Sequence, residues 1–384
     1  MNKRTIRVLF IAYSEECWMG GIYYVKNIAY QFLEYAKSQN HINYVVYILL
    51  DRSVSDVFEF CKDYINVRLI LKKRLPWDNG SGFVARNIRE LIWIIRIYGR
   101  RIDYIFPSFS TRSIYRKKII SWIPDFQHVA YPEFFTDEEK EFRGEYFTDI
   151  AQNHSKLVLS SQDAFDTYKE LYPNNCDNVG VVNFVSALST KDITPDLPGL
   201  LLKYNIQGNK YFIVSNQFYR HKNHIVLFDA IRLLRDEGYS EVKLICTGMP
   251  YDVKDSSYYE EIEDFLTCNS LMDNITILGL IPRRDQLTLM NGAIAVVQPS
   301  LFEGWGTCTE DAKTLGKIVV LSDIPVHREQ SYEKTILFEK KNVEELAGIL
   351  KKLWDEYRDK DIDSHFEIKN AVKYGQQFAK LLND

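Results

Sequence analysis

Short apolar runs alternate with amphipathic stretches along almost all of the 384 residues. That alternation is the pattern of a parallel sheet wrapped by helices, an α/β fold. In the first half the predicted strands are Val8–Tyr13, Tyr44–Leu50, Val67–Leu71, Tyr104–Pro107, Ile119–Ile123, Leu157–Ser160 and Gly180–Phe184. Residues 186–209 break the rhythm with Pro195, Pro198 and Gly199, which places a linker there. The pattern restarts with Tyr211–Asn216, Val242–Thr247, Ile275–Leu280, Ala293–Gln298, Ile318–Leu321 and Ile336–Phe338. A polar segment, Asp355–Ser364, precedes a final helix around Phe366–Leu382. The length agrees with two domains, expected over 1–190 and 207–355, each large enough for its own core.

Composition narrows the function classes. Apolar content of 46% and charged content of 26% are those of an ordinary globular protein. A net charge of −4 argues against a general nucleic-acid binder. The six cysteines (17, 61, 176, 246, 268 and 308) include no Cys-x-x-Cys pair, so they read as reduced thiols of a cytoplasmic protein. The basic start is followed by no secretory apolar region, and no run approaches membrane-spanning length. Charge is uneven, however. Residues 68–118 hold thirteen Lys and Arg against three acids. Such a stretch is either a solvated face or a docking surface for an anionic partner.

The most chemical segment runs from Val297 to Glu329. An apolar strand leads into Glu303-Gly304-Trp305-Gly306-Thr307, a Gly-rich turn that opens a helix carrying Glu310 and Asp311. A second buried strand and Ser322-Asp323-Ile324-Pro325-Val326-His327-Arg328-Glu329 follow. In open α/β sheets ligands sit beyond the carboxyl ends of the strands. Free N–H groups at a helix start attract phosphate. Ionised carboxylates only accept hydrogen bonds, which suits sugar hydroxyls. Both halves together fit a nucleotide-sugar. The plainer alternative is a strand-turn-helix whose acids favour the helix dipole.

These residues resemble the donor-site signature of retaining glycosyltransferases of the GT-B fold, in the family called GT4. The resemblance implies two Rossmann-like domains facing across an interdomain cleft, with the final helix (about 365–384) crossing back onto the first. The family's two glutamates are separated by seven residues; here Glu303 and Glu310 have six between them, and Asp311 takes the usual second-acid position. Glu310, as the glutamate, is favoured for the nucleotide ribose. The family also places an arginine and then a lysine after the first strand of the second domain. In Ser215-Asn216-Gln217-Phe218-Tyr219-Arg220-His221-Lys222, Lys222 matches the lysine, Gln217 stands in the arginine position, and Arg220 is the candidate substitute. Asn216 and Gln217 would line the donor.

Three further pieces follow from the resemblance. Gly20-Gly21, before a predicted helix Ile22–Lys37, matches a glycine pair of the first loop. In Trp122-Ile123-Pro124-Asp125-Phe126-Gln127-His128 the family's His-Asp pair appears as Pro124-Asp125, so His128 is the candidate for the donor-side histidine; a structural histidine is the alternative. Gly279-Leu280-Ile281-Pro282-Arg283 resembles the nucleobase loop, with Ile281 at the base. Gly248-Met249-Pro250 reads as a structural turn. No Asp-x-Asp follows a strand, so no metal cofactor is expected.

The acceptor is read from the basic stretch. Over Arg86–Arg101 a helical wheel puts six apolar residues on one face and Arg86, Arg89, Arg96 and Arg100 opposite, with Trp93 among them. With Lys72-Lys73-Arg74 and Arg116-Lys117-Lys118 this suits an anionic membrane surface. The expected acceptor is then a saccharide linked to a lipid (polyprenyl) diphosphate, with the chain peripheral on the inner face of the plasma membrane. The resemblance implies transfer from a nucleoside-diphosphate sugar during bacterial surface-polysaccharide assembly. Two rivals are a phosphorylase-like GT-B enzyme and a catalytically silent scaffold that binds nucleotide-sugar.

Overall fold

The computed structural model describes residues 3–12, 19–71, 99–108, 119–250, 255–358 and 368–382. It divides into two compact units. The first holds residues 1–126, 137–187 and 370–384; the second holds 127–136 and 188–369. Each is built on one sheet in which every paired strand is parallel.

The first unit contains β1 (Arg4–Ala12), β2 (Ile42–Leu50), β3 (Val67–Leu71), β4 (Tyr104–Ser108), β5 (Ile119–Ile123), β6 (Lys156–Leu159) and β7 (Val179–Val181). Their order across the sheet is β3-β2-β1-β4-β5-β6-β7. The helix Met19–Lys37 begins three residues before its expected start, so Gly20 and Gly21 lie in its first turn and not in a preceding loop. Its buried polar side chains hold the segment that leaves β7. Tyr24 donates to Val182 O at 2.9 Å, Gln31 to Asn183 O at 2.8 Å and Lys26 to Ala187 O at 2.8 Å. These bonds satisfy backbone groups that have left the sheet ladder. The helix Ala371–Lys380 belongs to this unit and packs on the same helix. The close approach is at Gly375, where an added Cβ would stand 2.0 Å from Gln31 O. Among the described residues, no helix is long and apolar enough to cross a membrane.

The second unit contains β8 (Phe212–Ser215), β9 (Leu244–Thr247), β10 (Ile275–Ile277), β11 (Ala295–Gln298), β12 (Ile318–Ser322) and β13 (Thr335–Phe338), ordered β10-β9-β8-β11-β12-β13. Successive strand residues point to opposite faces, and the core divides accordingly. Phe212, Val214, Ala295, Val297 and Val320 join one apolar cluster, while Tyr211, Ile213, Val296, Val319 and Leu321 join the other. The segment expected to be a bare linker contributes to that second cluster. It forms the helix Leu197–Lys203, and Leu188, Ile193, Leu200, Leu201 and Ile206 are buried against the sheet residues.

The strand order reverses between β8 and β11, which makes the space beyond Ser215 and Gln298 a topological switch point. Residues 72–98 and 109–118, with most of the basic stretch, and Cys17 and Trp18 lie outside the described residues. Cys61, Cys176, Cys246, Cys268 and Cys308 are free thiols.

Candidate functional site

Beyond the switch point two loops are tied together. After β8 the chain makes a tight turn over Arg220–Lys222, and Asn223 adopts a left-handed conformation (φ 55°). The Asn223 amide donates to Pro299 O at 3.2 Å and Lys340 O at 3.0 Å, and Leu301 N donates to His221 O at 2.7 Å. Lys222 is thereby set against the turn that follows β11. Its ammonium donates to both carboxylate oxygens of Glu303, at 2.7 and 2.9 Å. Ser300 Oγ adds a third bond to Glu303 at 2.7 Å.

Burial works to raise the Glu303 pKa, but Lys222 and the other neighbours outweigh it and hold the carboxyl at about 2. Burial first, and the Lys222 charge second, depress His221 and His224 to about 3. The site therefore offers one ionised carboxylate and one ammonium between neutral imidazoles.

The rest of the Gly-rich turn forms the start of the helix Thr307–Thr314. Gly306 is its first flanking residue and has no side chain to cap the helix, whose leading N–H groups lack intrahelical acceptors. Gln330 braces the turn from behind: its Oε1 accepts from Gly306 N at 3.1 Å, and its Nε2 donates to Gly306 O at 3.0 Å. Gly304, Trp305 and Thr307 line the turn half-buried.

The two acids of this helix part company. Glu310 is buried, bonded to Lys313 at 2.8 Å and to Gln330 at 2.9 Å, and burial leads its pKa upward. Asp311 is also buried, but pairs with Arg283 at 2.5 Å. Asp311 and Arg283 act electrostatically on the Cys308 thiol, as Glu303 and Lys222 do, after burial, which pushes that thiol up. Gln298 links this corner to β8, donating to Cys308 Sγ at 2.9 Å and accepting from Asn216 at 2.7 Å. Glu310, favoured from sequence for the ribose, thus braces the turn, while Asp311 stands with Arg283 beside Cys308.

Arg220 and Gln217 also differ from expectation. The Arg220 guanidinium bonds Asp255 at 2.8 Å and grips Glu261 with two bonds, at 2.9 and 2.8 Å. Two carboxylates hold the side chain that the sequence offers as the substitute for the arginine missing at Gln217. Gln217 itself is structural, its Oε1 accepting from Met249 N at 2.7 Å. Beside it, Gly248 (φ 130°) lets two loops meet; a Cβ there would lie 1.9 Å from Asn216 O. Ile281 is half-buried against the second unit's core, after a loop in which Gly279 O accepts from Gly248 N at 2.9 Å.

His128 is 8% exposed, in the short helix Gln127–Ala130, and its segment groups with the second unit and not with the first. The reason is Tyr131, whose hydroxyl donates to Leu301 O at 3.1 Å and receives Lys340 Nζ at 3.0 Å. Gly20 and Gly21 are in the first unit. The sequence reading did not single out Ser300, Gln298, Arg283 or Gln330. Only Ser300, three residues before Glu303, carried a local signal.

Residues 203–369 match the family described as glycosyl transferases group 1. The second unit is a group 1 glycosyltransferase domain. Solved structures extend the likeness over the whole fold. HepE of Anabaena, solved with UDP and glucose, superposes with a TM-score of 0.66 at 15% identity, covering 98% of this chain and 99% of its own. A glycosyltransferase from Rickettsia africae gives 0.62 at 15% identity, covering 100% and 96%. The sucrose-phosphate synthase of Thermosynechococcus elongatus gives 0.61 at 14%, covering 99% and 96%. No curated protein matches by sequence. The chain has the GT-B fold.

Proposed function

We propose that the protein is a retaining glycosyltransferase that moves a sugar from a nucleoside-diphosphate sugar to a saccharide hydroxyl. The observation that carries this reading is the Lys222–Glu303 pair at the switch point, beside the start of the Thr307–Thr314 helix. A departing nucleoside diphosphate gains negative charge as the glycosidic bond stretches. The Lys222 ammonium and the helix N–H groups would meet that charge without reorganising, which is where preorganised donors lower a barrier. Glu303 would exchange Lys222 for hydroxyls of the donor sugar, and Asp311 would accept from the ribose. The acceptor hydroxyl attacks from the face that the phosphate leaves, and a phosphate oxygen takes its proton. No protein nucleophile and no metal is assigned. Two of the structures similar in fold were solved with UDP, one of them also with glucose, which supports a nucleotide-sugar as donor.

The proposed acceptor is a saccharide on a lipid diphosphate, in surface-polysaccharide assembly, with the chain peripheral on the cytoplasmic leaflet. The thirteen basic residues of 68–118 support it. Flotation with anionic vesicles and none with neutral ones is expected; equal recovery with both overturns the membrane part. The transferase reading is tested with a panel of donors on wild type and Lys222→Ala. Wild-type transfer that collapses in the variant supports it.

A second reading, a silent nucleotide-sugar scaffold, is favoured by the neutralised Arg220 and the structural Gln217. Donor binding with neither transfer nor donor hydrolysis would select it.

A further inference from the structure

His327 hydrogen-bonds none of the residues assigned above, though it interacts electrostatically with Glu303 and Lys222, and it is fully buried. It lies in the short helix Pro325–Gln330, and Ser322 ends β12, next to the strand whose exit carries Ser300. All three are 0% exposed. His327 Nδ1 lies 2.9 Å from Ser322 O and 3.1 Å from Ser322 Oγ. Ser322 Oγ lies 2.5 Å from Ser300 O. Ser300 Oγ lies 2.7 Å from Glu303 Oε1.

Acceptor-only groups fix every proton in this chain. Ser322 O can only accept, so Nδ1 carries the imidazole hydrogen. Ser300 O can only accept, so the Ser322 hydroxyl donates to it. The ionised Glu303 can only accept, so the Ser300 hydroxyl donates to the carboxylate. His327 Nε2 is then a bare lone pair, with no hydrogen-bond partner among the described residues.

Leaving that nitrogen unmet disfavours the folded state. An apolar ring would fill the same space without the penalty, so packing alone does not account for a histidine. Its other nitrogen does: it anchors the backbone and hydroxyl of Ser322, which clamp the Ser300–Glu303 turn to β12 while Lys222 holds the turn from the opposite loop. We infer that His327 is a positioning residue that, through Ser322 and Ser300, fixes the Glu303 carboxylate in its donor-facing orientation. The inference rests on the reading of Glu303 as the group that holds the donor sugar.

The test uses the full chain. His327→Phe is expected to keep or raise the thermal midpoint, yet lower kcat/KM by about tenfold, as expected for a lost constraint on a charged hydrogen-bonding group. The loss should fall on kcat more than on donor KM, because the folded site persists with Glu303 misaligned. His327→Asn, whose amide nitrogen replaces Nδ1, should recover most of it. Should His327→Phe not fold, Ser322→Ala serves the same purpose and is expected to show the same kcat loss.

A cycle of Ser322→Ala with Glu303→Gln, read in donor affinity and in thermal midpoint, should be non-additive. Unchanged kcat in His327→Phe, no recovery by Asn, or additive effects in the cycle would overturn the inference. A wild type inert with every donor would instead sink the transferase reading. The midpoint cycle still decides the positioning role in that case, coupling supporting it and additivity overturning it.

Discussion

Lys222 Nζ sits 2.7 and 2.9 Å from the two carboxylate oxygens of Glu303, a bond formed between residues 81 apart in sequence. The pair sits at the switch point of the second sheet, and Lys222 helps hold the Glu303 carboxyl ionised. Lys222→Ala should therefore slow transfer by about 10²–10³-fold, the usual cost of removing one preorganised donor. The measure is single-turnover rate with saturating donor. Because the substitution also leaves Glu303 buried beside no ammonium, a lower melting temperature should accompany it.

The two acids of the Thr307–Thr314 helix should separate cleanly. Asp311→Asn is expected to raise donor KM by about tenfold, through loss of a charged acceptor for the ribose. Glu310→Gln should leave donor KM within about twofold and act on the unfolding midpoint, since Glu310 bonds Lys313 and Gln330. Equal KM effects would return the ribose to Glu310.

Stability should depend on pH through His224, which stacks on Phe218 with ring centres 4.3 Å apart. Its folded pKa is lowered from 6.5 to about 3 by burial and then by Lys222. Between those values the unfolded chain holds the extra proton, so stability falls as pH falls, by about 1.4 kcal/mol per unit for one group. His224→Phe should flatten that part of the urea-unfolding profile between pH 6 and 4. Glu303 works in the same sense lower down: with a folded pKa near 2 against 4.5, it takes stability away as pH falls below about 4.5, while the folded carboxyl stays ionised over that range. An activity loss centred near pH 4–5 would belong to another group.

Gly375→Ala should destabilise the first unit by roughly 1–3 kcal/mol through overpacking, since the new methyl meets the Gln31 carbonyl. Hydrogen exchange should show the loss concentrated in the helices Met19–Lys37 and Ala371–Lys380.

Much of the fold was legible because parallel strands are locally coded. The β3 and β5 segments coincide with their apolar runs residue for residue, each bounded by charged or turn-forming neighbours. The expected strand Gly180–Phe184 was drawn too long, since Asn183 and the residues about it bond to side chains of two helices. Periodicity cannot reveal such partners. The same limit applies in the site. Lys222 and Glu303 were found because each stands at a strand exit. The fate of Arg220 was hidden because Asp255 and Glu261 lie 35 and 41 residues further on. His128 was placed with the wrong unit because Tyr131, which carries its segment, is fastened to residues 170 and 209 positions away.

The helix Ala371–Lys380 completes the first unit although it is translated after all of the second. A chain emerging from the ribosome can thus complete the whole second sheet while Phe10, Phe32 and Phe106 still await Phe378, the ring that packs against all three. Contacts made by Phe378 can therefore form only after the second unit has been synthesised.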